Sequence, residues 1–256
     1  MQIDGWCVID EVIPAHEVEA VRENVLAAVD VHKRADAPAH IGAVSGLINC
    51  DQSFAPYLAA PRLLGLCKAL LGEHVRVSFT STIVNYPGNE RGQWHADWPF
   101  NQFNAGHIPA PYPDAVVHLT TIWMLSPFTA ENGATLIVSG SHRTSNNPTG
   151  NNGVEKDEPY PTELQVTGAA GSVVVMDSRL WHATAPNNAE EPRVGLAIRY
   201  APWWLNLDVL MPDSVERRRM VEETGTKDNQ VPAVPVEVFE ELPAEVKPLF
   251  RHWVRG

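Results

Sequence analysis

The segment "GQWHADWPF", Gly92 to Phe100, sets a histidine and an aspartate two residues apart among tryptophans. A carboxylate buried without a partner costs several kcal/mol, so an aspartate in such company calls for a counter-charge or a metal ion. On an extended segment residues i and i+2 point to the same side. His95 and Asp97 can therefore offer an imidazole nitrogen and a carboxylate oxygen to one ion, while Ala96 faces away. With ten histidines and 31 acidic residues in the chain, about one such spacing is expected by chance, and the chain contains one. Taken alone, a hydrogen-bonded pair explains it equally well.

A third ligand has to come from a later strand. In "GSVVVMDSRLWHATAPNN" a glycine turn leads into an apolar strand, and His182 follows beside Trp181 at a polar bend. Two histidines and one carboxylate fill one face of an octahedral ion and leave three positions open, the donor set of non-haem Fe(II) oxygenases. A structural zinc would ask for a closed tetrahedral shell, more often with cysteine. Eleven residues after His182, Arg193 opens the strand "RVGLAIRY". Val194, Leu196, Ile198 and Tyr200 form a packed face. Arg193, Gly195, Ala197 and Arg199 form the other, charged at both ends and small between. That second face is either a solvent face or the wall of a cavity holding something acidic, and we read it as a cavity. The planar fork of arginine suits a carboxylate, and Thr184, two residues past His182, can add a hydroxyl.

Other residues carry weaker signals. Gln93 shares the side of His95 and is a candidate for a cosubstrate contact or for a hydrogen bond to a loop. Trp98, Phe100, Asn101 and His107 follow the metal motif and are candidates for lining a substrate pocket, against the alternative that the aromatics are core. His118 reads as a satisfied core or surface histidine. His142 is a rival to His182 as a ligand. Arg143 and Arg179 read as surface residues. Trp203 and Trp204 would either close one end of a barrel or meet a partner.

Elements able to hold these residues are legible from periodicity. The chain has 256 residues, 44% of them hydrophobic and 20% charged, enough for one large domain with a real core. "IPAHEVEAVRENVLAAVDVH" and "APRLLGLCKALLG" have helical spacing, the second ending at Gly72. From Val75 the period shortens. "VRVSFTSTIVNYPG", "DAVVHLTTIWMLSPF", "GATLIVSG", "ELQVTG", "GSVVVMD" and "RVGLAIRYAPWW" are β-branched, aromatic and bounded by turn residues. Strands without intervening helices suggest a mainly β fold, a sandwich, jelly roll or barrel. Helical signals return after Pro202. We expect one domain over 1–256, with a helical part at 1–74, a β core at 75–204 and a helical extension at 205–256. Two polar stretches interrupt the strands, 101–114 and 142–161. The first reads as an ordered wall stiffened by aromatics and prolines, the second as an asparagine-rich lid.

The formal charge of −12 works against a nucleic acid or an anionic membrane as the partner and favours a small molecule. Three scattered cysteines, Cys7, Cys50 and Cys67, describe no disulfide framework. Without a membrane span or a secretory leader, the expected place is the cytoplasm.

At "QWHADW", "ENGATLIVSGSHR", "WHATAPN" and the arginine eleven residues beyond that histidine, the chain resembles the phytanoyl-CoA dioxygenase family of Fe(II)- and 2-oxoglutarate-dependent oxygenases. The resemblance runs from "GWCVIDEVIP" to "IRYAPWW". It implies a double-stranded β-helix, a cupin-like jelly roll, with iron on His95, Asp97 and His182 and with the distal carboxylate of 2-oxoglutarate on Arg193, helped by Thr184. It also implies the chemistry: O2 and 2-oxoglutarate consumed, succinate and CO2 released, and a C–H bond hydroxylated. A carboxylate at Asp97 favours hydroxylation, since related halogenases carry a small residue there. The family usually has proline before the glycine of "GSH", where this chain has Ser139. Two other classes stay open: a His2Asp metallohydrolase on a cupin-like barrel, and a noncatalytic metabolite-binding protein. The substrate and the oligomeric state are not legible.

Overall fold

A computed structural model of the chain describes residues 1–101, 103–144, 148, 155–226 and 230–255. Its strands are β1 (Trp6–Ile9), β2 (Ile41–Gly42), β3 (Arg76–Asn85), β4 (Leu119–Met124), β5 (Leu136–Val138), β6 (Glu163–Gln165), β7 (Val173–Asp177), β8 (His182–Ala183), β9 (Arg193–Ala201), β10 (Val234–Pro235) and β11 (Val254–Arg255). The α-helices are α1 (Val18–His32), α2 (Pro61–Leu71), α3 (Val215–Arg217), α4 (Val236–Glu241) and α5 (Lys247–Phe250).

Six strands form an antiparallel sheet in the order β1-β7-β4-β9-β3-β2, and three form a second in the order β6-β5-β8. A bridge between His95 and His182 extends the smaller sheet beyond β8. The central strands of the large sheet are buried on both faces, so β4 and β7 read as continuous apolar or hydroxyl-bearing runs. One face carries Val194, Leu196, Ile198 and Tyr200 of β9 into a core shared with Val18, Val21 and Val25 of α1 and with Leu63 and Cys67 of α2. Apolar residues recurring every three to four positions make those helices one-sided, and the sheet covers that side. Helix α2 starts on Pro61 and stops at Gly72, whose φ of 92° an L side chain rarely adopts. The opposite face carries Ile83, Ile122, Val174, Met176 and Ala197 into a separate core between the two sheets.

The stretch 1–74, expected to be a helical part, carries α1 and α2 and also two short strands. Trp6–Ile9 is an edge strand of the large sheet, paired with β7, and Ile41–Gly42 pairs with β3 at the other edge. "WCVI" is too short for its alternation to stand out beside the helix that follows, and pairing with β7 decides its conformation. Ser139, the residue standing where proline was expected, helps hold that strand: it accepts from Trp6 Nε1 at 3.2 Å and donates to Asp4 Oδ1 at 3.0 Å. Trp203 and Trp204 are exposed, at 62% and 53%, so they do not close the end of the fold. In the 142–161 stretch, residues 145–147 and 149–154 lie outside the described residues, and with them most of the expected asparagine-rich lid.

Candidate metal centre

Strand pairing brings the two histidines together. His95 N donates to His182 O at 3.1 Å and His182 N donates to His95 O at 3.0 Å, the reciprocal exchange of a hydrogen-bonded antiparallel pair. Side chains of such a pair leave the sheet on the same face, and the imidazole centroids lie 4.2 Å apart. Asp97, two residues on, reaches the same space, with Oδ2 3.7 Å from His182 Nε2. One donor atom from each of His95, Asp97 and His182 lies within 4.8 Å of the others.

The protein also sets how each ring is presented. His95 Nδ1 lies 2.9 Å from Gln93 O, and His182 Nδ1 lies 2.9 Å from Leu180 O. A carbonyl oxygen can only accept, so both rings carry a hydrogen on Nδ1 and leave Nε2 to face the cluster. Such a hydrogen bond to the far nitrogen fixes tautomer and orientation at a metal-binding histidine. Burial, with the neighbouring His95 second, lowers the His182 pKa to about 4. Its ring is neutral at physiological pH, as a ligand must be.

Asp97 is 4% exposed and both its oxygens are held. Arg199 donates to Oδ1, and Thr120 Oγ1 donates to Oδ2 at 2.6 Å. Burial alone would raise its pKa. The Arg199 guanidinium, the two imidazoles and the Thr120 hydroxyl outweigh that and hold it well below the usual carboxylate range. Beneath it runs a buried chain: Thr120 Oγ1 to Ser178 Oγ at 2.9 Å, Ser178 Oγ to His118 Nδ1 at 2.7 Å, and His118 Nε2 to Ser78 Oγ at 2.8 Å. His118 is thus a satisfied core histidine, and burial lowers its pKa to about 3.

A pH dependence of stability follows from His118. The unfolded imidazole takes a proton near pH 6.5 while the buried one resists until about 3. Folding stability should therefore fall as pH drops below ~6.5, by up to ~1.4 kcal/mol per pH unit from this residue. Urea unfolding at pH 7, 6 and 5 should show a shallower decline in His118→Gln than in the parent chain; equal slopes would contradict this.

Behind the cluster lies a cavity of about 120 Å³, bounded by Ile83, Ile122 and Ala197, with Thr135 and Arg193 at its walls. Arg193 is 1% exposed. Its Nη1 reaches Thr135 Oγ1 at a long 3.4 Å, its guanidinium lies 4.4 Å from the centre of the Phe128 ring, and its Nε has no partner. A Cβ at residue 195 would meet Phe128 Cζ at 3.0 Å, so Gly195 leaves room for the ring on which Arg193 rests. Burial alone lowers the pKa of Arg193 to about 10, so it stays cationic. Among the described residues no anion stands beside it, and a buried cation in that position is an unfinished pair. Thr184 lines this cavity and also an outer cleft of about 890 Å³ that opens over His95.

The remaining candidates disperse. Gln93 is exposed and lines the outer cleft, as does Asn101. Trp98 and Phe100 are buried at 3% and 0%, the first edge-on to His118 and the second to Tyr112. The alternation that would have put them on the cleft wall ends at Asp97, where a turn begins with Phe100 N donating to Asp97 O at 2.8 Å. His107 turns its Nδ1 to Asn104 O at 2.5 Å and lines neither cavity. Phe103 and Asn104 take the cleft positions instead. His142 packs beside Gly5, away from the cluster. Arg179, read as a surface residue, is buried on Asp177, with Nη2 to Oδ2 at 2.7 Å, and donates from Nη1 to Pro113 O at 2.6 Å.

Arg199, Thr120 and Thr135 were not singled out from sequence. Arg199 left a trace, since it shares the parity of Arg193 on β9. Thr120 and Thr135 left none, because a buried threonine in a strand is ordinary.

Two facing antiparallel sheets with a His-x-Asp and a distal His between them define a double-stranded β-helix, the cupin-like jelly roll, with a metal-type donor set on its inner face. A family model described as phytanoyl-CoA dioxygenase (PhyH) matches residues 1–195, a span that holds His95, Asp97, His182 and Arg193. The chain belongs to the phytanoyl-CoA dioxygenase family. It is 32% identical over 151 residues to dioxygenase af480 of Aspergillus fumigatus, covering 59% of this chain and 45% of that protein. It is 29% identical over 154 residues to a probable alpha-ketoglutarate-dependent hypophosphite dioxygenase of Stutzerimonas stutzeri, covering 55% and 50%. The chain thus spans about half the length of these curated relatives. Among solved structures, HygX from Streptomyces hygroscopicus, with nickel, 2-oxoglutarate and hygromycin B bound, superposes with a TM-score of 0.66 at 18% identity over 90% of this chain and 92% of its own.

Proposed function

We propose that this protein is an Fe(II)- and 2-oxoglutarate-dependent dioxygenase that hydroxylates a C–H bond of a small soluble metabolite. The observation that carries the reading is one cavity lined both by the His95, Asp97 and His182 cluster and by the buried Arg193, which has no anion beside it among the described residues. The residues fit the group. Two imidazoles and one carboxylate are the donor set that a non-haem iron would take, and the cavity, about four waters in volume, suits a small dicarboxylate rather than a chain.

In this reading His95 Nε2, Asp97 and His182 Nε2 would hold the iron, and Arg193 would receive the distal carboxylate of 2-oxoglutarate with Thr184 beside it. Iron with that cosubstrate and O2 supplies oxidative decarboxylation: one oxygen atom goes into succinate, with release of CO2, and the other into the substrate C–H bond as a hydroxyl. The chain's share is positioning. The Nδ1 hydrogen bonds aim both rings, Arg199 and Thr120 fix the carboxylate plane, and Ile83, Ile122 and Ala197 give the cavity an apolar wall that disfavours water. Family membership and relatives named as dioxygenases support this over a metallohydrolase, which has no use for Arg193.

Purified protein stripped with a chelator should lose 2-oxoglutarate-dependent succinate release and regain it with Fe(II) but not with Zn(II). Turnover that zinc restores would sink the proposal. Three free cysteines, Cys7, Cys50 and Cys67, support a reducing, cytoplasmic setting, and no helix among the described residues is long and apolar enough to cross a membrane.

A further inference from the structure

Ligand pockets of this size are lined mostly by apolar and aromatic side chains. The outer cleft over His95, about 890 Å³, keeps such a share in Pro38, Ala39, Ile41, Trp94 and Phe103 and adds a polar set to it. His40, Glu90, Gln93, Asn104, Lys156 and Asp157 all line it. None of these six side chains makes a hydrogen bond or a salt bridge with another described residue. The cleft therefore presents two amides, two carboxylates, one ammonium and one imidazole, all available to a ligand. Its basic residues are scarcer than they look. Arg91 also lines it but is spent on Glu163, with bonds of 3.0 and 2.6 Å, while its guanidinium lies 4.9 Å from the centre of the Trp94 ring. Lys156 remains against Glu90 and Asp157.

We infer that this cleft is built for a multiply hydroxylated small molecule without acidic groups, of the sugar or amino-sugar type. The inference rests on the oxygenase reading for the place where oxidation occurs and on the cleft alone for the class of ligand. An acyl chain laid over these side chains would strip water from amides and carboxylates and return no hydrogen bond, a penalty of ~1–3 kcal/mol for each group left unsatisfied. Hydroxyls return one partner apiece. A coenzyme A ester would bring several phosphate charges to a cleft whose free carboxylates outnumber its free ammonium, on a chain of formal charge −12. An ammonium on the ligand would meet Glu90 or Asp157 and gain from both. His95 and Thr184 line both the cleft and the inner cavity, so it is there that the ligand comes nearest to the metal cluster.

The test is calorimetric, on the whole chain loaded with nickel, which holds the site without turnover. Titration with 2-oxoglutarate comes first. A protein that fails to bind it loses the oxygenase reading, while the cleft can still be probed. The probes are then the trimer of glucosamine, its N-acetylated form and palmitoyl-CoA. The glucosamine trimer should bind most tightly, the acetylated trimer next, and palmitoyl-CoA least. Glu90→Ala combined with Asn104→Ala should weaken the glucosamine trimer by about tenfold or more, the scale of lost hydrogen bonds to a charged and a neutral group, and leave 2-oxoglutarate affinity as it was. Preference for palmitoyl-CoA, failure of both trimers to bind, or trimer binding indifferent to the double variant would each overturn the inference.

Discussion

Asp97→Ala should cost the protein its iron, with affinity lower by more than ~100-fold, beyond the 10–100-fold typical when only a ligand's supporting partner is disturbed. The carboxylate is the one anion in the cluster, so it alone offsets the charge of a divalent ion. It is also the counter-charge of Arg199, and its loss leaves a guanidinium largely buried without an anion, at about 3 kcal/mol of stability. Competition against a coloured chelator reads the first effect and thermal unfolding the second. Asp97→Asn separates them. It keeps the side-chain volume and one acceptor oxygen, and should fold closer to the parent chain while still failing to hold iron. Parent-like iron affinity in both variants would remove His95, Asp97 and His182 as the metal site.

Arg193→Met should raise the dissociation constant for 2-oxoglutarate by about 100-fold, or ~2.7 kcal/mol, the scale of a desolvated charge-assisted pair. Iron affinity should not change. The metal-free variant should be no less stable than the parent and by the following argument more so. Burial lowers the pKa of Arg193 to about 10, a cost on the order of 3 kcal/mol for keeping the cation. In return the free protein has only a 3.4 Å bond to Thr135 and the Phe128 ring. A residue that weakens the empty protein and strengthens a complex has its partner in the ligand. Unchanged 2-oxoglutarate affinity, measured by calorimetry with nickel in place of iron, would return the field to a metallohydrolase or to a noncatalytic binder.

The parts of this protein legible in its sequence are those governed by local spacing. His95 and Asp97 stood on one side of an extended segment because period two requires it, and Arg193 and Arg199 shared a face of β9 for the same reason. The helical stripes of α1 and α2 and the change of period at Val75 placed most of the β core. Local spacing failed where the chain turns. After Asp97 the backbone bends, so Trp98 and Phe100 go into the core, while Phe103 and Asn104 reach the cleft. It failed again at Trp6–Ile9, whose conformation is set by pairing with a strand some 165 residues away in sequence.

By itself the sequence determined which groups could bind a metal, which strand carried the cation, and that the fold would be mainly β with helices at both ends. Side-chain chemistry and backbone period are properties of a few consecutive residues, so they survive without coordinates. Only the tertiary structure decided that His95 and His182 are cross-strand neighbours, that Arg199 belongs to Asp97 while Arg193 has no anion beside it among the described residues, and that the cleft above them carries polar side chains with no partner among the described residues. Each of those depends on register between strands distant in the chain, and register is fixed by the packing of the whole sheet.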